Sequence, residues 1–308
     1  MDLQTQYVNS IRQAVHDLDV RDVRQISGQN QFHDILIVND QIVFRFPRSE
    51  DGIDILIREF ALLKVLENRL PLPIPNPIYE NLDDAEVGEA FFAYRLLPGE
   101  PLTSQPFGPD FPEENFNRVV AQMADFIHVL HKVAPDSLGF DLPIRDTRED
   151  WSRMYAEIRA ELVPHMRPDA AAWVRRIFDN FLEDQQNFDY SPVLRHGDLG
   201  PSNILFDHRT GSVSGVLDFS SAALGDPAVD VASLASISET FYSALYGINK
   251  EEIGPLMRRA QFYKSTFALQ EALSGAKMGD QEAYQHGIAP YLPLDQQVLA
   301  QVINPRTA

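Results

Sequence analysis

Apolar and polar positions alternate in three short runs between Val23 and Arg48, "VRQIS", "FHDILIV" and "QIVFRFP". A period of two residues is the signature of strands. The runs are divided by Gly28-Gln29-Asn30 and by Asn39-Asp40, the second a dipeptide suited to the tight turn of a hairpin. The period then changes: in "DILIREFALLKVLENRL", Ile55, Leu56, Phe60, Leu63 and Leu66 recur at helical spacing. "PLPIPNP" ends that helix, because proline cannot continue it and disfavours helix in the residue before. "IYEN" and "AFFAYRLLPGEPL" read as two more strands, the second running into Pro98-Gly99, where a hinge is expected. The remainder reads as mostly helical, with "EENFNRVVAQMADFIHVLHKV", segments around 148–164 and 169–187, a loop with two short strands, and three closing helices. The fold class is therefore α+β: a small antiparallel-sheet lobe with one main helix at residues 1–97, and a larger, mainly helical lobe at 98–308, with a cleft between them.

Composition narrows the functional classes. At 308 residues, 44% apolar and 23% charged, the chain is globular. No run approaches the ~20 apolar residues that span a bilayer, and "MDLQTQYVNSIRQAVHDL" reads as a polar amphipathic helix instead of a signal peptide. A cytoplasmic protein is expected. Without cysteine there are no disulfides, thiolate nucleophiles or cysteine-ligated zinc. A net charge of −19 argues against nucleic-acid binding and permits attraction of a cationic small molecule.

The chemistry concentrates in "HGDLGPSNILFD", residues 196–207, and "GVLDFSS", ending at Ser221. Phosphoryl transfer needs a carboxylate to receive or orient the acceptor hydroxyl and oxygen ligands for Mg²⁺. The spacing H-x-D-x-x-x-x-N lets a loop present Asp198 to an acceptor while Asn203 turns back toward a metal. Asp218 arrives from the neighbouring hairpin as the second metal ligand. Asp, Asn, Gly and Pro also crowd into ordinary turns. The strand, turn and returning strand between Asn203 and Asp218 favour the catalytic reading.

Together with "IVFRFPR", "REFALLKVL", "FFAYRLLPGEPL" and "GVLDFSSAALGDPAVDVASL", these motifs resemble the aminoglycoside phosphotransferase family, whose fold is protein-kinase-like. The 2″-phosphotransferase subgroup is nearest in flavour, with macrolide phosphotransferases second. The resemblance implies Asp198 as catalytic base, Asn203 and Asp218 as Mg²⁺ ligands, and ATP or GTP beneath the small sheet with its base against Tyr94, Leu96 and Leu97. It further implies that His196 shapes the loop, that Asp230 braces it, and that Asp226 caps the following helix. The acceptor would be a small hydroxylated, cationic molecule of the aminoglycoside type; a macrolide or other hydroxylated metabolite is the alternative. A monomer that binds neither nucleic acid nor membrane is expected.

Three features depart from the family pattern. Arg45 stands where a lysine is usual, with Glu59 as its partner; an exposed strand cation is the alternative, and a nucleotide-binding module without turnover is the corresponding non-enzyme reading. The turn "SGQNQ" lacks a glycine-rich motif, so Ser27, Gly28 and Gln29 either offer backbone donors to the nucleotide or only make a turn. Ser221 occupies a place that is often acidic, leaving Glu239, and further on Phe267 and Glu271, as candidates for holding the acceptor.

Overall fold

The computed structural model describes residues 3–26, 33–104, 107 and 111–293. Strands β1 (Val23–Ile26), β2 (His33–Val38), β3 (Ile42–Pro47), β4 (Pro77–Asn81) and β5 (Phe91–Arg95) form an antiparallel sheet in the order β1-β2-β3-β5-β4. Asn39 and Asp40, between β2 and β3, take φ of 54° and 52°. That left-handed pair is what a two-residue hairpin turn requires, and Asn and Asp tolerate it.

Alternation along β3 gives the sheet two different faces. Phe44 and Phe46 point to an outer cluster closed by helix α1 (Leu3–Ala14), where Tyr7 stacks on Phe46 at 4.1 Å between centroids. Val43 and Arg45 point the other way, toward helix α2 (Glu50–Leu66). Ser49 starts α2 by accepting the Gly52 N–H at 3.2 Å, with Glu50 and Asp51 in the first turn favoured by the helix dipole. Leu56, Glu59, Leu63 and Leu66, three or four residues apart, share its buried face. The apolar pattern thus carries one carboxylate into the interior. Ile55 and Phe60 are only half-buried, and Leu62 takes a fully buried place instead.

Beyond Gly99, whose φ of 105° suits glycine alone, β6 (Glu100–Pro101) pairs with β8 (Ile204–Asp207), which pairs with β9 (Ser212–Val216). A second small ribbon joins β7 (Val193–Arg195) to β10 (Ala223–Gly225). Around them pack α3 (Glu113–His131), α4 (Arg148–Glu161), α5 (Pro168–Glu183), α6 (Ala228–Ala235), α7 (Glu239–Ile248), α8 (Lys250–Ile253), α9 (Met257–Met278) and α10 (Gln281–Ile288). Among the described residues, five helices therefore follow β10, where three were expected. Asn249, Gly254-Pro255 and the left-handed Gly279 divide what reads as longer helical sequence. One apolar core runs from α2 and the inner sheet face into these helices. Among the described residues, no helix is long and apolar enough to cross a membrane.

Candidate active site

Between β7 and β8 the chain runs through "HGDLGPSN" as an irregular loop, and its conformation is held from beneath by Asp230 on α6. Asp230 is fully buried. Its Oδ2 accepts the His196 N–H at 3.0 Å and its Oδ1 the Gly197 N–H at 2.8 Å. His131 Nε2 lies 2.9 Å from Oδ2. Burial opposes the charge on Asp230, but the His131 contact and the donated backbone N–H groups outweigh it and hold the carboxyl below its ordinary range. Gly197 has φ of 86°, and a side chain there would collide with the Arg195 guanidinium and the Ser221 carbonyl. Glycine is thus required by both the dihedral and the close approach.

His196 is buried with Nδ1 accepting the Asp198 N–H at 3.2 Å. Its Nε2, 2.9 Å from Leu217 O, therefore carries the proton and donates it to that carbonyl. Both ring nitrogens are spent on backbone, tying the loop to the segment that carries Asp218. Asn203 donates from Nδ2 to both Asp198 O at 2.8 Å and Asp198 Oδ2 at 2.9 Å. Asp198 is exposed to the open cleft, yet the protein mass around it raises its carboxyl above the usual range, chiefly by desolvation.

Asp218 follows β9 at φ of 62°, a conformation uncommon outside glycine. Its Oδ1 accepts from Arg45 Nη2 at 2.9 Å and from Ser220 N at 3.3 Å. Arg45 is 2% exposed, so it is no surface cation. The same Nη2 lies 3.1 Å from Glu59 Oε2 and 3.2 Å from His33 Nδ1, and the buried Tyr94 is a further neighbour of the guanidinium. Glu59 Oε1 in turn accepts the Phe219 N–H at 3.0 Å. Burial works against a charged Asp218, but Arg45 overcomes it and holds the carboxyl at about 2. For Glu59 burial wins over Arg45, and its carboxyl is pushed up to about 7.

Next to the loop lies a cavity of about 450 Å³, reached by Gly197 and by Ser220 to Ala223. Its walls come from α2, the segment before α4, α4 itself and α9. Phe267 lines it. Glu239 and Glu271 do not: Glu239 pairs with Lys264 at 2.7 Å and Glu271 with His286 at 2.8 Å, outside the lining. The lining residues that sequence reasoning passed over include Arg58, Arg145, Asp150, Trp151, Arg153 and Glu157. They sit on helix faces and a loop that share no motif, so no local signal marked them.

Tyr94 is buried against Arg45, leaving only backbone at the hinge, where the Leu96 N–H is already given to Gln41 O at 2.8 Å. Leu96 is exposed and Leu97 half-buried. Ser27, Gly28 and Gln29 lie outside the described residues. Asp226 accepts the Ala228 N–H at the start of α6 and is held besides by Arg259 and Tyr263. Among the described residues, no group of three or more histidine and acidic side chains gathers as a metal cluster, so any ion here would rest on a smaller oxygen set.

A profile of the phosphotransferase enzyme family (APH) matches residues 22–263. Viomycin phosphotransferase of Streptomyces vinaceus is 26% identical over 273 residues, covering 85% of this chain and 91% of that protein. The GDP and kanamycin complex of an aminoglycoside phosphotransferase, APH(2″), superposes with a TM-score of 0.81 at 22% identity, over 97% of this chain and 99% of that one. Macrolide 2′-phosphotransferase type I superposes with a TM-score of 0.72 at 22% identity, over 94% and 97%. With a sheet-and-helix lobe, a larger helical lobe and a family match spanning most of its length, the chain belongs to the phosphotransferase enzyme family and has its protein-kinase-like fold.

Proposed function

We propose that this protein transfers the γ-phosphoryl group of a nucleoside triphosphate to a hydroxyl of a small molecule bound in the cavity beside Gly197. The observation that carries the reading is the convergence of Asp198 and Asn203, from one loop, with Asp218, from the turn after β9, each braced by backbone or side-chain hydrogen bonds. Asp198 takes the proton of the acceptor hydroxyl, and its raised pKa suits it to hold that proton. The hydroxyl oxygen forms a bond to the γ-phosphorus, the bond to the β–γ bridging oxygen breaks, and a nucleoside diphosphate leaves.

The lobes divide at residues 97 and 98 in this reading, with the nucleotide beneath the small sheet, its base against the hinge at Tyr94 to Leu97 and its phosphates near Arg45. Backbone donors of Ser27 to Gln29 would complete that site. The residues present suit Mg²⁺: Asn203 spends its N–H on Asp198 and keeps an amide oxygen, while Arg45 keeps Asp218 ionised. Asn203 and Asp218 would hold the ion, which when bound neutralises charge on the phosphates. Asp230, His196 and Glu59 act as positioning residues for Asp198, the loop and Arg45.

The names of the relatives, which include phosphotransferases of viomycin, aminoglycosides and macrolides, support a small hydroxylated acceptor. The aminoglycoside expectation comes from that likeness; Glu239 and Glu271, the acids offered to bind it, pair elsewhere. The test is Asp198→Asn. It is expected to lower Mg²⁺-nucleotide turnover by ~10²- to 10⁴-fold while nucleotide still binds. Unchanged turnover would sink the mechanism.

A further inference from the structure

The acceptor cavity runs against the charge of the chain. Overall, Asp and Glu outnumber Lys and Arg by 45 to 26, yet the cavity is lined by Arg58, Arg145, Arg153 and Arg195 against Asp146, Asp150 and Glu157. All three carboxylates are committed. Asp146 receives Arg195 through two bonds, Nε at 2.6 Å and Nη2 at 3.2 Å, and also the Asp226 N–H at 3.2 Å. Asp150 closes the N-terminal cap of α4 with Thr147 and accepts from Arg153 at 2.5 Å. Glu157 accepts from Lys277 at 2.7 Å.

The arginines are not all committed. Arg58 on α2 and Arg145 ahead of α4 are exposed, and neither pairs with a carboxylate among the described residues. Arg58 comes from the sheet lobe and Arg145 from the helical lobe, so the two approach the cavity from separate walls. A guanidinium offers a planar fork that matches a carboxylate or phosphate. A polycation entering this cavity would meet these guanidinium groups and no carboxylate without a cation beside it.

We propose that the acceptor carries an anionic oxygen group, a carboxylate or a phosphate, beside the hydroxyl that is phosphorylated, and that Arg58 and Arg145 receive that group. The inference rests on the phosphotransfer reading for the fate of the hydroxyl, but anion binding stands without it. Trp151 and Phe267 on the same lining supply the apolar contact that a small carbon skeleton needs.

Trp151 and Trp173 are the two tryptophans, and Trp151 lines the cavity, so a Trp173→Phe background reports occupancy through Trp151 fluorescence. Gluconate, ribose 5-phosphate, uncharged ribose and kanamycin are titrated without nucleotide. The expected result is a saturable change with one or both anions, weakened at least tenfold in Arg58→Gln/Arg145→Gln and partly restored in Arg58→Lys/Arg145→Lys. The gluconate and ribose 5-phosphate arms separate carboxylate from phosphate. Thermal melting of each variant is read first; both arginines are exposed, so the fold should persist. Kanamycin or ribose binding as tightly as the anions, equal anion affinity in the double glutamine variant, or no response to either anion overturns the proposal. Because these titrations omit nucleotide, their failure is distinct from failure of the Asp198 test.

Discussion

Arg45 and Arg259 are both withdrawn from solvent against carboxylates, Arg45 between the sheet and the Asp218 turn and Arg259 within the helical lobe. Arg259 meets Asp226 as a complete fork, Nε to Oδ2 at 2.5 Å and Nη2 to Oδ1 at 3.0 Å. Tyr263 Oη and the Ala228 N–H fill the remaining acceptor positions at 2.8 and 2.9 Å. Arg45 is arranged otherwise: one nitrogen, Nη2, faces His33, Glu59 and Asp218 together, while Arg45 Nε has no hydrogen-bond partner among the described residues. A buried polar atom left without a partner costs about 1–3 kcal/mol. The saturated fork does structural work inside one lobe, whereas the unsaturated cage keeps polar capacity where the phosphates are proposed to sit.

The largest expected effect is on the saturated side. Asp226→Ala strips the carboxylate from a buried guanidinium and should cost roughly 3–5 kcal/mol in urea denaturation. A loss under about 1 kcal/mol would show that the fork does not hold the helical lobe. On the other side, Arg45→Lys keeps the charge but loses the fork. It should cost only about 1–3 kcal/mol of stability, the range for a displaced buried hydrogen bond, while the nucleotide KM rises about tenfold. A stability loss matching that of Asp226→Ala with KM unchanged would erase the distinction between the two clusters.

The two clusters also differ in how far they could be read from sequence. Arg45 and Asp218 lie 173 positions apart, yet both were placed because each sits in a motif with its own local logic, a strand and a loop-hairpin. Glu59 followed from the family resemblance, which pairs the strand cation with a glutamate on the next helix; the apolar periodicity of α2 by itself did not single it out, although it lies among that helix's buried residues. Asp226 was legible as a cap, because capping is local. Its partners Arg259 and Tyr263, 33 and 37 positions on, were not, since nothing in α9 distinguishes a buried arginine from a solvated one. The cavity was illegible for the same reason. Arg58 follows the polar pattern of α2, Arg145 sits in a loop, and only the cavity between α2, α4 and α9 brings them together. Both acids assigned to the acceptor, Glu239 and Glu271, pair with surface cations instead, because exposure is decided by what packs alongside.

A smaller effect concerns Asp230, the carboxylate under the catalytic loop. Its pKa is depressed in the folded state relative to its ordinary value of 3.8. A depressed carboxylate stabilises the fold above its unfolded pKa, and that contribution fades as pH falls below about 3.8 toward the folded value. Acid unfolding of the parent should therefore steepen below pH ~4, and Asp230→Asn should flatten that limb. An unchanged acid limb in the variant would assign the loop's stability to other groups.

The smallest expected effect is at Glu239. Its carboxylate is 83% exposed and meets Lys264 at 2.7 Å; Lys264 follows Tyr263 on α9, but neither it nor Glu239 is among the residues that line the acceptor cavity. An exposed pair gains little Coulomb energy in water and spends side-chain freedom to form. Glu239→Gln should thus leave both the melting temperature and acceptor turnover unchanged, where Arg58→Gln in the cavity raises the acceptor KM. The pair of variants sharpens the contrast between charge that decorates a helix and charge that faces a ligand. If Glu239→Gln weakened a cationic acceptor while Arg58→Gln did nothing, the acceptor would bind along α7 and α9, and the cavity beside Gly197 would lose its assignment.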